Sequence, residues 1–88
     1  PANFRLEQNF PNPFNPATTI RYSVPKTGVV NIAVYNLLGQ EIKTLVNEEK
    51  RPGEYEVRFD TSRLPSGIYF YRLNAGTFTE TKKMLLVK

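Results

Sequence analysis

Between turn signals, apolar residues in this chain recur at every second position, a period that half-buried β-strands satisfy and helices do not. Tyr55, Val57 and Phe59 alternate with Glu54, Glu56 and Arg58. Ile20, Tyr22 and Val24 alternate with Thr19, Arg21 and Ser23, and Val30, Ile32 and Val34 with Asn31, Ala33 and Tyr35. One face of each segment is assigned to a core and the other to water, the pattern of antiparallel strands. Breaks rich in Gly, Pro and Asn fall at residues 25–28, 36–39, 52–53, 64–67 and 74–76. A spacing of about ten residues is that of a β-sandwich rather than of βαβ units.

Residues 41–46, 68–73 and 77–87 supply noisier strands, and a short leading strand is predicted around residues 4–8. The fold expected is therefore all-β, a seven-strand antiparallel immunoglobulin-like β-sandwich. In Ile68-Tyr69-Phe70-Tyr71-Arg72-Leu73 both faces are bulky, as in a central strand or one facing a partner; Tyr69, Tyr71 and Leu73 are assigned to the core. The predicted core also holds Tyr22, Ile32, Val34, Tyr55, Val57 and Phe59. No helix is expected, because β-branched and aromatic residues dominate and the best rival window, residues 37–45, contains Gly39.

At 88 residues the chain makes one modest domain, 1–88, in which residues 1–3 are expected to be a linker remnant. It begins at Pro1 with no export signal and reads as a piece of something longer. It contains no cysteine and no histidine, so thiolate and imidazole metal sites, Ser-His-Asp and Cys-His catalysis and disulfides are all out of reach. The best remaining catalytic material is Glu48, Glu49, Glu54, Glu56 and Asp60, and their spacing makes no convergent carboxylate pair. Neither an enzyme nor a calcium loop is expected, and no cofactor or metal is assigned. The net charge of +4 is spread over Arg21, Lys43, Arg58 and Arg72, with only Lys82-Lys83 adjacent, which argues against a nucleic-acid partner. The terminal run Met84-Leu85-Leu86-Val87 is far too short to insert in a membrane.

Three segments stand out. Asn9-Phe10-Pro11-Asn12-Pro13-Phe14-Asn15-Pro16 has lost three amide donors to proline, so it is excluded from a sheet interior. It is expected to run extended over an edge, with Phe10 and Phe14 capping an open end of the sandwich. In residues 60–69, Asp60 or Ser62 is suited to hold local amides, and Tyr69 is placed to send its hydroxyl back to the backbone of residues 60–65, as in a tyrosine corner. Residues 79–88 read as a last strand with lysines on its exposed face, which also discourages edge pairing.

Taken together, Phe10-Pro11-Asn12-Pro13-Phe14-Asn15-Pro16, Thr18-Thr19-Ile20-Arg21-Tyr22, Val34-Tyr35-Asn36-Leu37-Leu38-Gly39-Gln40-Glu41, Gly67-Ile68-Tyr69-Phe70-Tyr71-Arg72-Leu73 and Thr81-Lys82-Lys83-Met84 closely resemble the type A C-terminal sorting domain of the type IX, or Por, secretion system. Very similar modules in turn resemble the immunoglobulin-like domain of the flagellar hook-capping protein. The resemblance implies a non-catalytic signal that directs a larger N-terminal cargo across the outer membrane, for release or surface attachment. It implies the type IX machinery and its surface protease as partners, passage through the periplasm, and a secreted or cell-surface destination. The module itself is expected to be a monomer. The signature residues carried over are Asn12, Pro13, Phe14, Asn15, Pro16, Gly67, Tyr69, Lys82, Lys83 and Met84. The alternative is an accessory module of an extracellular hydrolase, structural or carbohydrate-binding, for which Tyr35 and Phe70 would begin an aromatic platform.

Overall fold

The computed structural model describes residues 1–88 and contains strands only: β1 (Arg5–Leu6), β2 (Ala17–Val24), β3 (Gly28–Tyr35), β4 (Glu41–Lys50), β5 (Gly53–Asp60), β6 (Gly67–Ala75) and β7 (Phe78–Leu86). They form two antiparallel sheets, ordered β1-β2-β5 and β4-β3-β6-β7. This is the immunoglobulin arrangement of strands one, two and five against three, six and seven, with the fourth strand paired to the third rather than to the fifth. The core is the set of inward positions from both sheets, among them Ile20, Tyr22, Val24, Val30, Ile32, Val34, Phe59, Tyr71, Leu73, Met84 and Leu86. Tyr69, Tyr71 and Leu73 are all buried, as the alternation in β6 requires.

Two predicted core residues are only half-buried. Tyr55 and Val57 face inward, yet β5 is the edge strand of the narrower sheet, so the opposite sheet only partly covers them. Phe59, farther along the same strand, packs against Phe14 with ring centroids 6.3 Å apart and is buried. β4 extends to Lys50 rather than stopping at Val46, because its polar second half, Asn47 to Lys50, still pairs with the start of β3. Register shifts after Ile32 and Val34 explain why alternation in β4 is noisy.

The seven-strand topology sends the signature segments to one end. The crossing after β5 is short, Thr61 N–H donates to Pro16 O at 2.9 Å, Tyr35 pairs with Phe70, and Gly67 pairs with Leu86. Residues 11–16, 36–40, 61–66 and 87–88 therefore share this motif end. Residues 2–4, 25–28 and 75–78 line a groove at the far end, where Phe4 stacks on Phe78 at 5.1 Å.

Candidate functional site

The proline-rich segment crosses from one sheet to the other. Phe10 forms an antiparallel bridge with Thr19 of β2, and four residues later Phe14 forms a parallel bridge with Leu86 of β7. Phe14 N–H donates to Leu85 O and Val87 N–H donates to Phe14 O, each at 3.0 Å. Leu85 N–H donates to Asn12 Oδ1 at 2.9 Å, and Gln8 Nε2 donates to Lys83 O at 2.7 Å. The outward backbone groups from Lys83 of β7 to Val87 just beyond it are thus covered by residues 8–14, which protects a strand edge that would otherwise be open. The segment bends rather than running extended, and its Phe10-Pro11, Asn12-Pro13 and Asn15-Pro16 bonds are cis.

Of the two phenylalanines, only Phe14 caps the core; Phe10 is 79% exposed. The inward position is taken instead by Asn9, whose Nδ2 donates to Thr18 Oγ1 at 3.0 Å and to Pro11 O at 3.2 Å. Neighbouring residues of an extended chain face opposite sides, so a buried Asn9 turns Phe10 outward. Tyr71 anchors the same stretch: its hydroxyl donates to Glu7 O at 2.6 Å and accepts from Asn9 N–H at 2.7 Å. Burial pushes its pKa up to about 12, the Asn9 amide acting in the opposite sense and Glu80 adding to the rise.

The two lysines do not share a face. Lys83 is exposed on the outer face of β7, whereas Lys82 follows the inward parity of Met84 and Leu86, is half-buried, and pairs with Glu80 at 3.2 Å. Adjacent strand residues must diverge in this way. An inward-pointing charge on an edge strand is itself a guard against edge pairing. Met84 pairs in register with Tyr69, and Lys83 with Phe70. The Tyr69 hydroxyl donates to Pro65 O at 2.7 Å, as the corner reading requires, and Ser62 N–H donates to Asp60 Oδ1 at 3.0 Å. Thr61 went unrecognised in the sequence; it is buried, and its Oγ1 donates to Pro16 O at 2.6 Å.

Asn12, Phe14, Gly67, Tyr69, Lys83 and Met84 are therefore brought to one corner, around β6, β7 and the strap that covers β7. Pro13, Asn15 and Pro16 shape that strap, and Lys82 lies on the other side of the strand. Tyr35 offers no open aromatic platform, because the Arg72 guanidinium lies over its ring at 4.5 Å and donates to its hydroxyl at 2.7 Å.

Fold and corner together define a β-sandwich module whose distant motifs meet at one end. The family model described as a secretion system C-terminal sorting domain matches residues 8–88, and the chain belongs to that family. It is a C-terminal sorting signal for type IX secretion, non-catalytic in itself, of a kind joined to a cargo in secreted or cell-surface proteins. No curated protein and no solved structure matches the chain.

Proposed function

We propose that the machinery reads this signal as a folded composite surface, made by the strap of residues 8–16 together with the outer face and edge of β7. The observation that carries this is the Phe14–Leu86 bridge with Asn12 on Leu85: two motifs far apart in sequence share hydrogen bonds. On this reading the exposed Lys83 presents charge to the machinery, and Asn12 and the buried Phe14 hold the strap against the strand beside it. Lys82 contributes to β7 itself. The cargo passes through the periplasm with the module folded, and a surface protease then releases or transfers it.

The test is a periplasm-directed reporter fused to residues 1–88 in a host that carries type IX secretion. The wild-type fusion is expected in the medium or on the surface, and a fusion lacking the module in the periplasm. Lys83→Ala is expected to change stability by less than about 0.5 kcal/mol, as exposed substitutions do, while lowering export. Lys82→Ala serves as the comparison, because it breaks the Glu80 pair and acts on the edge of the sheet. Export of Lys83→Ala at the wild-type level would remove that lysine from the signal.

A further inference from the structure

The hairpin between β3 and β4 contradicts what a hairpin tip needs for solubility. Leu37 and Leu38 occupy its apex at 66% and 83% exposure, and Leu38 is the most exposed large apolar side chain in the molecule. The loop is nevertheless fixed. Asn36 N–H donates to Gln40 O and Gly39 N–H donates to Asn36 O, each at 3.0 Å. The Asn36 side chain adds three bonds: Oδ1 accepts from Leu38 N–H at 2.9 Å and Gln40 N–H at 3.0 Å, and Nδ2 donates to Gln40 Oε1 at 2.7 Å. Gly39 takes φ 80°, a left-handed conformation that a side chain would strain. Asn36 and Gly39 thus hold two leucines out in water on a rigid support, where packing within the domain has no use for them.

We infer that Leu37 and Leu38 are an apolar plug for a pocket on a protein of the sorting machinery, an inference that rests on the folded recognition surface proposed above. Pre-organisation fits a pocket, since a fixed tip loses little further freedom on docking. Charge disfavours a lipid surface: residues 36–40 carry none, whereas binding to anionic membranes draws on clustered Lys and Arg. Area disfavours a second copy of the chain, because two side chains fall far short of the roughly 800 Å² per partner of a stable interface. The tip also continues the corner already described, since β3 ends at Tyr35, beside Phe70, which lies beside Lys83.

Val29 provides a matched control, being 61% exposed on β3, the strand that leads into the tip, but at its far end. In the reporter assay, Leu37→Ser/Leu38→Ser is expected to melt with the wild type and to lower the exported fraction by about tenfold, as loss of buried anchor residues does. Val29→Ser is expected to export normally, and Leu37→Ile/Leu38→Met to retain export because the tip stays apolar. Asn36→Ala leaves both leucines in place but frees the loop, and is expected to fall between. If the double serine variant misfolds, Leu38→Ser alone gives the same reading. Wild-type export of the serine variants overturns the inference, and so does an equal fall in Val29→Ser. It is also overturned if the purified wild type, but not the double variant, binds phosphatidylglycerol–phosphatidylethanolamine vesicles or dimerises in sedimentation. Failure of the wild-type fusion to be exported is a different result: it removes the folded recognition surface proposed for this module, and the plug with it.

Discussion

The two ends of the sandwich are built from the same sheets but held differently. At the motif end nearly every connection is tied by a specific bond: Asn12 and Phe14 on β7, Thr61 on Pro16, Tyr69 on Pro65, Asn36 across its own loop, and Lys88 N–H on Ser66 Oγ at 3.0 Å. At the far end the turns after β2, β4 and β6 rely mainly on strand pairing. Two bonds are the exceptions: in a near copy of the tyrosine corner the Tyr55 hydroxyl donates to Arg51 O at 2.6 Å, and Thr79 Oγ1 donates to Asn74 Oδ1 at 2.8 Å beside the turn after β6. Both tyrosines reach back four residues, but Tyr69 is buried and Tyr55 only half-buried. The contrast shows where the specific hydrogen bonds gather: at the end where the strap meets β7.

The strap is the most direct place to break that contrast. Phe14→Ala leaves a hole against Phe59 and is expected to cost about 3–5 kcal/mol in denaturant titration, as large aromatic truncations do. A loss under 1 kcal/mol would mean the strap is not part of the core. Tyr71→Phe is the next largest. It strands the buried Asn9 N–H and the half-buried Glu7 O, for an expected loss of about 1–3 kcal/mol. Amide exchange should quicken at residues 7–14 and stay unchanged at the far-end turns.

The tyrosine pair sharpens the comparison. Tyr69→Phe is expected to cost about 0.5–1.5 kcal/mol, the usual net value of a hydrogen bond. Tyr55→Phe, whose bond is open to solvent, should cost only a few tenths, roughly the low end for such bonds. Equal losses would show that the two ends are held alike.

The smallest effect is set by pH. Burial first, then Tyr55 and Glu48, pushes Tyr22 up to about 12, and Tyr71 is raised to the same level by its own burial. A raised pKa means the native state keeps a proton that the unfolded chain gives up, so this contribution is complete below pH 10 and declines as pH rises from 10 towards 12. Melting temperature is expected to be flat from pH 8 to 9.5 and to fall above it. The fall should be shallower in Tyr71→Phe. A fall of equal slope in that variant would show that Tyr71 does not contribute.

The class of fold was legible in the sequence because period-two alternation depends only on which face of a strand meets water, as Ile20, Tyr22 and Val24 show. The corner hydroxyl of Tyr69 was legible for a similar reason, since its partner lies four residues away. Phe10 was not legible: its composition matches that of Phe14, and its direction is decided by Asn9, which reaches across to Thr18. Likewise Tyr55 and Val57 alternate as core residues should, and only the position of β5 at a sheet edge leaves them half-covered.

What the sequence determined by itself was local: strand periodicity, turn chemistry, the absence of thiol and imidazole chemistry, and the motifs by which the family is recognised. What tertiary structure alone decided was which of those motifs touch. Phe14 meets Leu86, Asn12 meets Leu85, and Lys82 turns inward while Lys83 faces water. No periodicity encodes such pairings, because a strand presents an edge as well as two faces, and what covers the edge depends on where the rest of the chain returns.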